Sequence, residues 1–126
     1  MSDIYLGNPN LKKANTQQEF TEEHVKEFLK CKADPVYFTE KHIRIVNVDE
    51  GLVNFNMYKF QKKLLKNFHK HRFNICKMPR QTGKSTTVVS YLLHYALFND
   101  NVNIGILANK AATARDLLGR LQLAYE

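Results

Sequence analysis

Met78-Pro79-Arg80-Gln81-Thr82-Gly83-Lys84-Ser85 is the stretch on which the fold turns. Just before it, Phe73-Asn74-Ile75-Cys76 predicts a short strand, bounded by Pro79. Just after it, Val88, Val89, Leu92, Leu93, Ala96 and Leu97 recur about every four residues, which predicts an amphipathic helix from Gly83 to about Phe98. A strand that delivers the chain to a tight loop, followed by a helix, turns backbone N–H groups and a positive helix end toward phosphate. In the pattern G-x-x-x-x-G-K-[ST] the lysine neutralises the β- and γ-phosphates and the hydroxyl binds Mg2+. Gly83, Lys84 and Ser85 fill its last three positions, Thr86 follows, and Met78 stands where the first glycine is expected. Gly-Lys-Ser alone is a frequent tripeptide, and its weight comes from the strand–loop–helix setting. The ordinary alternative, a lysine covering a loop in an unrelated α/β protein, leaves Gln81-Thr82-Gly83-Lys84-Ser85-Thr86 unexplained. Arg80, inside the loop, is either a solvent-facing cation or a guanidinium in reach of the γ-phosphate, where it stabilises charge developing in phosphoryl transfer.

Beyond the helix, Asn99-Asp100-Asn101 reads as a turn and Val102 to Ala108 as a second strand. Asn109 can cap a last helix with Ala114, Leu117, Leu118 and Leu121 on its inner face. Strand, helix, strand is a βαβ unit, which implies a parallel sheet with a right-handed crossover. The expected fold class is therefore α/β, the N-terminal fragment of a P-loop NTPase with a parallel sheet flanked by helices. Two strands cannot cover such a sheet, so the chain reads as its beginning.

Upstream, apolar residues at 57, 60, 64, 65 and 68 predict a helix from Met57 to about His71. Ile43 to Val48, the turn Asp49-Glu50-Gly51, and Leu52 to Phe55 predict a β-hairpin, expected to be a structural edge piece. Thr21-Glu22-Glu23 opens another helix, with a capping hydroxyl and an acidic first turn; Asp34-Pro35 is expected to stop it. Residues 1–20 read as a mobile arm, 21–55 as a helical lead-in with the hairpin, and 56–126 as the first part of the ATPase domain.

The 126 residues suffice for one modest core, and no apolar run is long enough to span a bilayer. The N-terminus has neither the basic nor the apolar region of a signal peptide, so a soluble cytosolic protein is expected. The net charge of +7 suits a nucleotide or nucleic acid, or simply a lysine-rich surface. Cys31 and Cys76 lack metal-ligand spacing and are expected to be reduced and structural. His69 and His71 have no accompanying cluster, and a surface role is expected.

The loop Pro79-Arg80-Gln81-Thr82-Gly83-Lys84-Ser85-Thr86 resembles the variant Walker A segment of the large terminase subunit of tailed bacteriophages, most closely the contractile-tailed type. That family uses an Arg-Gln-x-Gly-Lys-[Ser/Thr] form and commonly lacks the first glycine, so Met78 agrees with it. Tyr58-Lys59-Phe60-Gln61-Lys62 resembles the family's adenine-recognition segment; a glutamine amide can donate to and accept from the adenine edge together. By itself, a Phe-Gln pair on a helix ordinarily means a core Phe and an exposed Gln. Asn103 to Lys110 and the hairpin Ile43 to Phe55 also resemble segments of these motors, and the likeness covers roughly Pro35 to Glu126.

The resemblance implies an ATP-driven motor, a ring on the portal vertex, that pumps double-stranded DNA into a procapsid and carries a nuclease. By matching position it implies ATP held by Phe60, Gln61, Arg80, Gln81, Thr82, Gly83, Lys84, Ser85 and Thr86. Gln61 would read adenine, Lys84 bind the β/γ-phosphates, Ser85 hold Mg2+, and Arg80 act as a cis arginine finger. The implied partners are DNA, the portal protein and the small terminase subunit, in the cytoplasm of an infected bacterium and not in the mature virion. No apolar strand ending in Asp-Glu follows the loop, and the nuclease acids are absent from the sequence. A truncated gene, a split gene and an incomplete sequence all fit, with little ATP hydrolysis expected from this chain alone. Two other readings stand beside it: a helicase-like DNA motor, though such proteins usually carry small residues before Gly-Lys, and a non-enzymatic fragment that binds partner proteins.

Overall fold

The computed structural model describes residues 4–80 and 83–125. Its element order is β1 (Ile4–Tyr5), β2 (Asn8–Lys12), α1 (Glu22–Ala33), α2 (Pro35–His42), β3 (Arg44–Asn47), β4 (Gly51–Asn54), α3 (Lys59–Lys70), α4 (Lys84–Phe98) and α5 (Ala111–Tyr125). The strands form two separate two-stranded antiparallel sheets, β1 with β2 and β3 with β4. The expected α/β fold, a P-loop NTPase fragment with a parallel sheet flanked by helices, is therefore not what the chain forms: this is a helical protein with two small hairpins.

The physical reason lies in the two segments expected to be parallel strands. Neither Phe73 to Cys76 nor Val102 to Ala108 is in a strand. β-propensity records side chains that suit a pleated, half-buried surface, but a strand exists only through its ladder. Here the side chains meet solvent instead, Ile75 at 101% and Leu107 at 94% of full exposure. The core is built from helices: α4 packs on α2, α3 and α5.

Helix starts follow local chemistry closely. Thr21 caps α1, its hydroxyl accepting from the His24 N–H while His24 Nδ1 accepts from the Thr21 N–H. Asp34-Pro35 ends α1 as expected, but the same pair begins α2. The Asp34 carboxylate accepts from the N–H groups of Val36 and Tyr37, and proline occupies the first helical position, where no donor is needed. A dipeptide read only as a stop is also a start. The β3–β4 hairpin has the expected place, with Arg44 opposite Asn54 and Asn47 opposite Gly51, whose φ of +76° closes the turn. Within the segment read as an irregular arm, β1 and β2 make a short hairpin.

The core joins Cys31, Val36, Phe38, Ile43, Phe55, Met57, Leu65 and Leu93, with Phe68, Tyr91 and Phe98 packed against it. Leu65 is fully enclosed, a burial that contributes roughly 1.5–3 kcal/mol. Helix α4 buries only one edge of its expected apolar stripe, Val89 and Leu93, and adds Thr87, Ser90 and His94 beside it. The helix is apolar on most sides, so spacing does not choose a face. Its buried hydroxyls are satisfied within the helix: Thr87 donates to the Gly83 carbonyl and Ser90 to the Thr86 carbonyl, each at 2.8 Å. His94 Nε2 donates to the Cys31 carbonyl at 2.8 Å, fastening α4 to the end of α1.

Candidate functional site

Gly83 stands at the junction of the loop and α4 with φ +76° and ψ 15°. This left-handed turn lets the backbone reverse into the helix, and a side chain there would be strained. The N-cap of α4, Gly83, makes no side-chain cap hydrogen bond, and the positive end of the helix dipole lies here. Lys84 is exposed and reaches back across the loop, donating from Nζ to the Met78 carbonyl at 3.4 Å. Met78 itself has no positive φ, so its position does not need a glycine. Arg80 is exposed. The expected contacts of Gln81 and Thr82 lie outside the described residues.

The start of α3 approaches this junction directly. Gln61 is buried, at 2% exposure, whereas Phe60 beside it is 45% exposed. The ordinary reading of a Phe-Gln pair has these two the other way round. Gln61 Oε1 accepts from the Tyr58 N–H at 2.9 Å, the reciprocal half of a capping box that fixes the amide at the helix start. Its Nε2 lies against Gly83: a Cβ built on that glycine would be 2.5 Å from it. Tyr58 and Phe60 stack in parallel, with ring centres 5.8 Å apart, beside the amide.

Phe60, Gln61, Gly83 and Thr86 line one cavity of roughly 600 Å³, together with Tyr58 and Asn56. Its far wall is the β3–β4 hairpin, through Asn47, Glu50 and Asn54. The sequence reading gave that hairpin only a structural part. The one local signal was that Asn54 and Asn56 directly precede the aromatic–glutamine segment. Lys84 and Ser85 face a different, mostly apolar cavity of about 270 Å³, with Leu64, Cys76 and Ile106. Successive helical residues are turned by about 100°, so the first turn of α4 divides the two spaces. Of the residues expected to hold the phosphates, Gly83 and Thr86 thus share a cavity with Phe60 and Gln61, whereas Lys84 and Ser85 face another.

The donor chemistry fits a nucleotide in part. A fixed amide beside two exposed aromatic rings suits a heterocyclic base, and an uncapped helix start with a neighbouring lysine suits phosphate. Among the described residues, no helix is long and apolar enough to cross a membrane. No protein-family model matches the chain.

Proposed function

We propose that this chain carries the nucleotide-binding segment of a DNA-packaging motor of the terminase large-subunit kind. One observation supports it above the others: Gln61 is buried and packed on Gly83 while Phe60 is exposed. A glutamine tied to the glycine of a Gly-Lys-Ser loop is what a base-reading residue coupled to a phosphate loop requires.

In this reading the base enters the cavity beside Tyr58 and Phe60, and Gln61 presents its amide there. Lys84 exchanges its long bond to the Met78 carbonyl for the β- and γ-phosphate oxygens, a stronger charge-assisted contact. Mg2+, carried in with ATP, would supply charge neutralisation on the phosphates, and the Ser85 hydroxyl would be its protein ligand. By matching position Gln81, Thr82 and Thr86 would add phosphate contacts, and Arg80, which is exposed, would act on the γ-phosphate. The motor's partners would be double-stranded DNA, the portal protein and the small subunit, in the cytoplasm of an infected bacterium. These 126 residues contain no Asp-Glu pair after the loop, so this polypeptide is expected to bind ATP and turn it over little.

Equilibrium titration with ATP and Mg2+ tests the proposal. Lys84→Ala removes a charge-assisted contact worth about 1.5–3 kcal/mol, so its affinity is expected to fall roughly tenfold or more. A wild-type chain that binds no ATP, or a variant that binds equally well, would instead favour a non-enzymatic piece that docks on other proteins. That second reading is supported by the exposed apolar side chains of Phe73, Ile75 and Leu107.

A further inference from the structure

Away from the loop, α1 and α2 bring three dissimilar donors to one point. Glu27 and Cys31 lie one turn apart on α1, and His42 closes α2. Their ligand atoms all lie within 4.8 Å of one another. Glu27 Oε1 is 3.7 Å from Cys31 Sγ and 3.1 Å from His42 Nε2. Zinc bonds of about 2.0–2.3 Å at tetrahedral angles put neighbouring donors about 3.3–3.6 Å apart. The two measured edges bracket that range.

We propose that Glu27, Cys31 and His42 form a Zn2+ site, with solvent in the fourth position. Thiolate, imidazole and carboxylate are the three ligand types that zinc accepts, and three protein ligands with one open position are a recurrent arrangement. Access matches: Cys31 is buried, while the Glu27 and His42 side chains keep 33% and 42% exposure. All three residues line one cavity of roughly 420 Å³, so the ion has a route in. The Tyr37 hydroxyl donates to the Glu27 carboxylate at 3.0 Å, the kind of outer contact that orients a metal-bound carboxylate.

A resident cation already marks the place. Lys41 Nζ sits 2.9 Å from Glu27 Oε1. On metal binding Lys41 gives up Glu27 and keeps its 2.8 Å bond to the Tyr37 hydroxyl. Cys31 forms its bond to zinc as thiolate, and the thiol proton passes to bulk buffer. The dication with one thiolate and one carboxylate is neutral, so charge stays balanced without Lys41. The bound ion would tie α1 to α2.

Co2+ titration of the purified chain, followed by Zn2+ competition, is the test. One equivalent of Co2+ is expected to give a thiolate-to-cobalt charge-transfer band in the near ultraviolet, displaced by Zn2+. The band should persist in Cys76→Ser, which removes the exposed thiol, and vanish in Cys31→Ser. His42→Gln, at an exposed position that does not threaten folding, should weaken binding at least about tenfold. Lys41→Met should tighten it several-fold, because the competing cation is gone; a site that merely holds an ion pair would show no such gain. Absence of the band, a band that follows Cys76, insensitivity to His42→Gln, or weaker binding in Lys41→Met would each overturn the proposal.

Discussion

Gln61 occupies the space where a side chain on residue 83 would begin: its Nε2 lies 2.5 Å from the position of a Cβ on Gly83. Two demands for glycine therefore coincide at one residue, a left-handed backbone and a neighbour in van der Waals contact.

Gly83→Ala should fail on both counts. The left-handed conformation alone costs about 1–2 kcal/mol in a residue with a Cβ, and Gln61 must also give way. Thermal unfolding should shift down accordingly, and in the proposed reading ATP affinity should fall with it. A variant as stable as wild type would show that the loop is free to rearrange.

Gln61→Ala separates structure from recognition. It leaves the Tyr58 N–H without its partner, which costs about 1 kcal/mol. In the proposed reading it also removes preference for adenine, so the ratio of ATP to GTP affinity should approach one. A ratio that stays at the wild-type value would remove Gln61 from base reading.

Ile75→Ser and Leu65→Ala form a matched pair. Ile75 is fully exposed and its replacement should change stability by no more than about 0.5 kcal/mol. Leu65 is fully enclosed, and its truncation should cost about 2–5 kcal/mol. Urea unfolding of the two variants checks the helical core directly: a parallel-strand Ile75 would give a loss comparable to that of Leu65.

His94 gives the protein a pH dependence. Burial pushes its imidazole below the usual histidine range; the hydrogen bond to the Cys31 carbonyl opposes this, and nearby His69 adds to it. The unfolded chain takes up the proton near pH 6.5, before the folded one does, so stability rises with pH there. This contribution is fully present above about pH 6.5 and is lost as pH falls toward the lowered folded value. Urea midpoints measured with chelator present should drop across that interval. His94→Gln, whose amide can still donate to the carbonyl, should flatten the drop; an unchanged slope would show that His94 is not its source.

Glu27 acts in a lower window. Lys41 first, then His42, hold its carboxyl down to about 2. Its contribution is present above the ordinary carboxylate value of about 4.3 and fades as pH falls toward 2. Glu27→Gln should unfold less steeply over that interval in acid titrations followed by circular dichroism.

Much of the local structure was legible in the sequence. Thr21 announced α1, Gly51 the hairpin turn, and the spacing from Phe60 to Phe68 announced α3. What misled was the step from segment to architecture. Phe73 to Cys76 and Val102 to Ala108 carry strand-forming side chains, yet pairing is decided by what lies alongside, and no local rule supplies that. Asp34-Pro35 failed for a narrower reason: its chemistry serves the end of one helix and the beginning of the next equally. Spacing also placed the start of α4 at Gly83 and Lys84. The hairpin wall of the neighbouring cavity was not, because it is brought there by chain reversal at Gly51. The gathering of Glu27, Cys31 and His42 depends on how α1 and α2 pack, which spacing along either helix does not encode.

Helix α4 joins the loop to the end of α1. Lys84 begins it at the loop, and His94, about 15 Å further along at 1.5 Å per residue, is fastened to the Cys31 carbonyl. The helix is thus a stiff lever with one arm at Gly83 and the other under α1. The setting of the loop end of α4 is thus fixed in part by a single hydrogen bond three turns away, at the end of α1.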